Sequence, residues 1–184
     1  TKDPVRVHFS NVTTWGSGLQ GATKGKTKQL IGRRVEAYLT TLPPTTKVVM
    51  IAEHHIPRNM FDLIEKRLSA IGWMAAFTPA KPTLRSEFGT SGGTMVLIRK
   101  HCEANMFRGK NSHKTKGSHG KGASWTAAIM RLKGVSIAFI SLYLISGQGL
   151  NLDNLEILAE IRAFIKFWQI PFIIGGDFNL PPAD

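Results

Sequence analysis

The chain has 184 residues, of which 42% are hydrophobic and 20% charged, with 24 basic against 12 acidic side chains and a formal net charge of +12. That much apolar material excludes a fully disordered chain, and the lone Cys102 excludes an intrachain disulfide and a cysteine-based zinc site. The longest apolar-rich run, Val135 to Ile145, falls well short of the ~20 residues that a membrane-spanning helix needs.

Val5-Arg6-Val7-His8-Phe9 alternates at period two and predicts a strand. Residues 15–28, with Gly16, Gly18, Gly21 and Gly25 among lysines, predict a loop. Leu30, Ile31, Val35, Tyr38 and Leu39 recur at helical spacing until Leu42-Pro43-Pro44 stops the helix. Val48 to Ala52 is continuously apolar, as in a strand buried on both faces. Phe61, Ile64, Leu68 and Ile71 mark a second amphipathic helix, closed by Gly72. A loop with Pro79, Pro82 and Gly89 to Gly93 leads into a strand, Thr94 to Ile98. Residues 104–122 are rich in Gly, Ser, His and Lys and lack an apolar period, which predicts a long, basic, mobile loop. Ser124 to Leu132 and Val135 to Ile145 are strand-like runs meeting at Lys133-Gly134, a hairpin signal. Leu155, Leu158, Ile161, Ile165 and Trp168 share a helical face, with acids early and bases late as the helix dipole favours. Phe172 to Ile174 is a short buried strand that runs into Gly175-Gly176-Asp177-Phe178-Asn179. No repeat or linker breaks this order, so residues 1–184 read as one α/β domain of sandwich type.

The basic residues cluster. No acid lies between Asp3 and Glu36, a span holding Arg6, Lys24, Lys26, Lys28, Arg33 and Arg34. None lies between Glu103 and Asp153, a span holding Arg108, Lys110, Lys114, Lys116, Lys121, Arg131 and Lys133. Such fields attract polyanions, nucleic acid first and acidic phospholipid second. The Lys24–Arg34 segment and the Arg108–Lys121 loop are therefore read as nucleic-acid contacts, joined by Trp15, whose Gly/Lys-rich surroundings suit base stacking. No signal peptide is visible, which together with the single cysteine suits an intracellular setting, the nucleus included.

Three apolar strands end in residues able to bind a hard cation: the first at Asn11, the second at Glu53, the last at Asp177 and Asn179. Carboxyl ends of strands form the ligand crevice of α/β sheets. If these strands are neighbours, two carboxylates and two amides converge, a set that suits Mg²⁺, with Mn²⁺ as a substitute. The glycines before Asp177 are read as allowing a tight turn or a close approach to substrate. His54 and His55 are adjacent in an extended segment and point opposite ways, which counts against a shared metal. Cys102 reads as inert packing.

Gly-Gly-Asp-Phe-Asn at 175–179, following an apolar strand, resembles the GDFN motif of the endonuclease/exonuclease/phosphatase superfamily, the DNase I-like proteins. Asn11-Val12, Ala52-Glu53-His54, Gly92 to Ile98 and Ser141-Leu142-Tyr143-Leu144 resemble the family's other blocks, in the family's order. The resemblance implies a four-layered α/β sandwich of two mixed sheets with helices outside. It implies Glu53 as principal Mg²⁺ ligand, Asn11 near the metal or phosphate, and Asp177 orienting or deprotonating the attacking water. Asn179 would hold the phosphate and its developing oxyanion, and Tyr143 would hydrogen-bond the scissile phosphate.

The chain also departs from that pattern. Ala52 stands where the family has glutamine, Thr13 where many members carry a second polar or acidic residue, and Ile145-Ser146 where Pro-Asn is common. The Ser-Asp-His block that closes the family's pattern is not among the residues up to Asp184, and none of the six histidines stands at its place in the order. The expectation is a partial domain without its C-terminal strands, inactive alone, from a nuclease or retroelement-type endonuclease. The alternatives are a phosphatase acting on a phosphoinositide or small phosphate ester, and a catalytically dead, basic nucleic-acid-binding remnant.

Overall fold

Val48 to Ala52 lies inside β2 (Thr46–Ala52), where alternate side chains serve two cores. Val48 and Met50 face one way and Val49 and Ile51 the other, which explains why the run is apolar without alternation. The computed structural model describes residues 4–12, 15, 24–82, 90–109, 111 and 122–179, with only the backbone described at 24–28. β2 pairs in parallel with β1 (Arg6–Asn11) and antiparallel with β6 (Thr94–Arg99), which pairs in turn with β3 (Trp73–Thr78). The first sheet thus has the order β1-β2-β6-β3. The second has the order β10-β9-β8-β7, built from β7 (Ala104–Phe107), β8 (Ser124–Leu132), β9 (Val135–Tyr143) and β10 (Phe172–Asp177). β10 runs parallel to β9 and the other pairs are antiparallel. A two-stranded ribbon, β4 (Lys81–Pro82) and β5 (Thr90–Ser91), completes the strands.

The sheets pack face to face through Val48, Met50, Val96 and Ile98 against Ala128, Met130 and Phe139. At one end this interface is hydroxyl-rich. Thr126 Oγ1 donates to Thr78 Oγ1 at 2.8 Å, Thr78 Oγ1 donates to the Trp125 carbonyl at 2.6 Å, and Ser141 Oγ donates to the Ile51 carbonyl at 2.7 Å. Helices α1 (Lys24–Thr41) and α2 (Phe61–Ala70) cover the outer face of the first sheet with Ile31, Val35, Leu39, Ile64 and Leu68. α3 (Leu152–Trp168) covers the second with Ile157 and Ile161. The result is the expected α/β/β/α order of layers.

The expected hairpin is present: Leu132 pairs with Val135, and Lys133 and Gly134 take φ values of 48° and 85°, the two left-handed residues of a tight primed turn. Three expectations need correction. Residues 104–122 are not all loop, because Ala104–Phe107 forms β7. The loop expected over 15–28 ends sooner, since α1 begins at Lys24. In α3 the expected face packs inward through Leu158, Ile161 and Ile165, but Leu155 is 44% exposed and Ile157 is buried in its stead. β10 has no strand on its outer edge among the described residues, and Phe172, Ile173 and Phe178 there are exposed. Among the described residues, no helix is long and apolar enough to cross a membrane.

Candidate active site

Parallel pairing decides where the polar strand ends meet. In the register of β1 with β2, Asn11 lies beside Ala52, one residue before Glu53. In the register of β10 with β9, Asp177 lies beside Tyr143. All four residues stand at carboxyl ends of parallel-paired strands, two from each sheet. The sheets close on each other there because β10 carries no side chain at Gly175, and Gly176 clears its own neighbour β9. A Cβ on Gly175 would sit 2.8 Å from both Met50 Cε and Phe9 Cδ2, and one on Gly176 would sit 2.8 Å from Leu142 Cβ. The two glycines lie inside β10 and do not turn the chain; Gly175 lets the first sheet press close, and Gly176 leaves room for Leu142 of the neighbouring strand.

The result is a direct contact. Asn11 Nδ2 donates to Asp177 Oδ2 at 2.7 Å and to Glu53 Oε2 at 3.2 Å, so one amide holds both carboxylates. Asn179, with φ of 46°, donates from Nδ2 to the Leu144 carbonyl at 2.8 Å and also hydrogen-bonds the Asp177 carboxylate. These bonds engage its amide hydrogens and hold the Asp177 carboxylate. Tyr143 is buried, and its hydroxyl is bonded to Glu53 and Ser91. Burial first, then the Glu53 charge, pushes its pKa up to about 12, so it remains a protonated donor. The hydroxyl thus contacts the Glu53 carboxylate.

The loop that presents Glu53 is held from beneath. His54 is fully buried, its Nε2 3.2 Å from the carbonyl oxygens of both Thr78 and Thr94, while Ile56 N donates to its Nδ1 at 2.9 Å. Those bonds require the proton on Nε2. Glu53 and His55 flank it with φ of 58° and 56°, a conformation few non-glycine residues adopt. Gly93 leaves the room: a Cβ there would lie 2.5 Å from His54 Cε1. His55 Nδ1 lies 2.6 Å from the Thr90 carbonyl, and its Nε2 is 3.5 Å from Glu53 Oε1.

The remaining expected site residues scatter. Trp15 is 4% exposed and packs edge-on against Tyr38, with ring centroids 5.1 Å apart. It is a core residue, and the base-stacking expectation is corrected. Arg33 and Arg34 are exposed on α1. Arg108 is exposed but lines a cavity of about 370 Å³ with Trp73, Lys100 and Glu65. Trp73 pairs with Arg99 while Ala52 pairs with Thr94, so the Trp73 end of this cavity lies about 17 Å along β6 from the Glu53 end. The side chains of Lys24, Lys26 and Lys28, and all of Lys110, Lys114, Lys116 and Lys121, lie outside the described residues.

Comparison with protein-family models finds no match, and neither does comparison with curated proteins. Solved structures do match. The human Nocturnin catalytic domain, solved with a bound sulfate anion, superposes with a TM-score of 0.61 at 18% identity over 100% of this chain and 68% of that one. TDP2 of D. rerio, complexed with a single-strand DNA product, gives 0.53 at 16% identity over 96% and 61%. ANGEL2, a 2′,3′-cyclic phosphatase solved with adenosine-2′,3′-vanadate, gives 0.53 at 12% identity over 83% and 44%. The chain has the DNase I-like fold.

In this DNase I-like chain the donor set fits a divalent cation. Among the described residues, no group of three or more His, Cys, Asp and Glu side chains stands at metal-binding spacing. A cation that keeps several waters and takes one or two carboxylates matches that sparse set, as Mg²⁺ and Mn²⁺ do. The electrostatics agree. Asp177 is pushed above the usual aspartate range by burial, with the Glu53 carboxylate adding to the shift and the bonds from Asn179 and Asn11 opposing it. A folded pKa above the unfolded one means that ionised Asp177 costs stability above that range, a cost that disappears as pH falls below the unfolded value. In EDTA, Asp177→Asn is therefore expected to melt at or above the wild-type temperature at pH 7, with the difference vanishing near pH 3. A variant that melts lower at pH 7 would contradict the electrostatic account.

Proposed function

We propose that the chain is the metal-binding side of a divalent-metal-dependent phosphodiester hydrolase that acts on nucleic acid. The observation that carries this reading is the Asn11 amide bonded to both Glu53 and Asp177, which join from different sheets at one edge. The net charge of +12 favours a polyanionic substrate. A DNase I-like fold shared with TDP2, solved with a DNA product, and with ANGEL2, a cyclic phosphatase, supports phosphate-ester chemistry.

Glu53, assisted by Asn11, would hold the metal, which when bound supplies a Lewis acid against the phosphoryl oxygen. Asp177, its proton affinity raised by burial, takes a proton from water as that water attacks phosphorus and the bond to the leaving oxygen breaks. Asn11 and Asn179 keep Asp177 aimed, and Tyr143 keeps Glu53 aimed, so the groups are in place before the charge develops. Nocturnin, TDP2 and ANGEL2 each extend beyond the length matched here, and the test accordingly uses both the 184 residues and longer chains that contain them.

The test is EDTA-sensitive cleavage of plasmid DNA and single-stranded RNA, beside a phosphoinositide and a small phosphate monoester. Nucleic-acid turnover is expected to exceed that of the esters, and turnover of the esters alone would reject the nuclease reading. Binding measured without metal should weaken with salt. Replacing Lys114, Lys116 and Lys121 by glutamine should lower the log–log slope by about 0.9 for each duplex phosphate that these lysines neutralise in the wild type. An unchanged slope would mean that they touch no phosphate.

A further inference from the structure

Within the metal-site reading just proposed, on which this inference rests, one nitrogen has no task. His55 Nδ1 lies 2.6 Å from the Thr90 carbonyl. A carbonyl only accepts, so Nδ1 carries the proton and Nε2 of the neutral ring is a lone pair. Nε2 is sealed from solvent and makes no hydrogen bond, yet it stands 3.5 Å from Glu53 Oε1. At 3.5 Å the two atoms are not hydrogen-bonded to each other. With Nδ1 carrying the proton, two electron-pair donors face each other in a half-buried place, which is costly unless a cation lies between them.

We propose that His55 Nε2 is a metal ligand beside Glu53, so that the site selects an imidazole-accepting divalent ion of the Mn²⁺, Co²⁺ and Zn²⁺ class over Mg²⁺. The geometry suits it. A cation about 2.1 Å from each atom, as nitrogen and oxygen ligands of such ions lie, subtends the observed 3.5 Å at about 110°. The Thr90 carbonyl behind Nδ1 fixes the tautomer and the ring plane, the arrangement metal-bound histidines usually have. Mg²⁺ prefers oxygen and takes imidazole poorly, whereas the first-row transition ions accept it. His54 cannot take this part, because both of its ring nitrogens are engaged with backbone groups.

The discriminating variant is His55→Asn. Asparagine tolerates the φ of 56° at this position, and its amide nitrogen can replace Nδ1 against Thr90 while nothing replaces Nε2. Mn²⁺ and Mg²⁺ titrations, with pulsed EPR of bound Mn²⁺, read the outcome without an activity assay. The wild type is expected to show nitrogen modulation from one imidazole. His55→Asn is expected to lose it and to bind Mn²⁺ about 10-fold more weakly or worse, with Mg²⁺ affinity changed less than about 2-fold. Glu53→Gln should weaken both ions. Mn²⁺ bound by the wild type through oxygen alone, or held equally by His55→Asn, would overturn the His55 assignment while leaving Glu53 as a metal residue. Loss in neither variant, or no binding by the wild type, would remove the metal-site reading along with it.

Discussion

Glu53→Gln is expected to reduce metal-dependent phosphodiester cleavage by about 10³-fold or more, a size seen when one group that stabilises transition-state charge is removed, while leaving the fold intact. The substitution keeps shape and removes charge. The side-chain oxygen that accepts from Asn11 at 3.2 Å survives as an amide oxygen. The like charge that helps push up both Asp177 and Tyr143 is gone, so the melting temperature should hold or rise. That pairing of an unchanged or raised melting temperature with lost turnover separates a chemical role from a structural one. Glu53→Ala would not, because it also leaves the Asn11 amide and the Tyr143 hydroxyl without one acceptor. Cleavage by Glu53→Gln within 10-fold of the wild type would remove Glu53 from the reaction.

Why Glu53 can be chosen from sequence while His55 cannot is a matter of backbone geometry. Asn11, Glu53 and Asp177 each end an apolar run, and an apolar run reads as a strand whether or not its neighbours are known. The runs of β2 and β10 and the Lys133-Gly134 turn are legible for the same reason: their signals are local. β3 is not. Trp73-Met-Ala-Ala-Phe-Thr has two alanines at its centre, residues of low strand propensity, and it is held in place by six-residue pairing with β6 that no local pattern encodes. β7 is hidden inside a basic, unpatterned stretch and owes its existence to β8. The period-two rule that sets His54 against His55 stops at Ala52, where β2 ends, so it says nothing firm of His55. The left-handed backbone at both residues has no sequence signal. The glycines of 175–176 are legible as special, but what they make room for is not, because Met50 and Phe9 of the facing sheet and Leu142 of the neighbouring strand are distant in sequence. Trp15 sits among lysines and glycines in sequence and among Tyr38 and the α1 core in space.

The largest stability effect should come from His54, whose burial drives its pKa down to about 4 despite the bonds to the Thr94 and Thr78 carbonyls. A histidine depressed in the fold contributes stability in full above its unfolded pKa of about 6.5 and loses it as pH falls to the folded value. At 1.36 kcal/mol per unit, the wild type should lose about 3 kcal/mol to this one group between pH 6.5 and pH 4, and nothing more to it below. His54→Gln, which does not titrate, should lack that component, so the difference between the two unfolding free energies shrinks as pH falls through this window. His54→Ala goes further, removing the bonds to the Thr78 and Thr94 carbonyls and from the Ile56 amide and opening a cavity, at a cost of about 2–5 kcal/mol at pH 7. In a chain of this size that lowers the melting temperature by about 4–20 °C. Because Glu53 and His55 hold left-handed backbone on either side of His54, the anchor that stabilises the fold also holds the metal side of the crevice in shape. Metal affinity in His54→Gln should therefore fall at pH 7. Urea melts of wild type and His54→Gln at pH 7, 5.5 and 4 decide the matter: parallel losses in both would show that His54 takes up its proton without disturbing the fold.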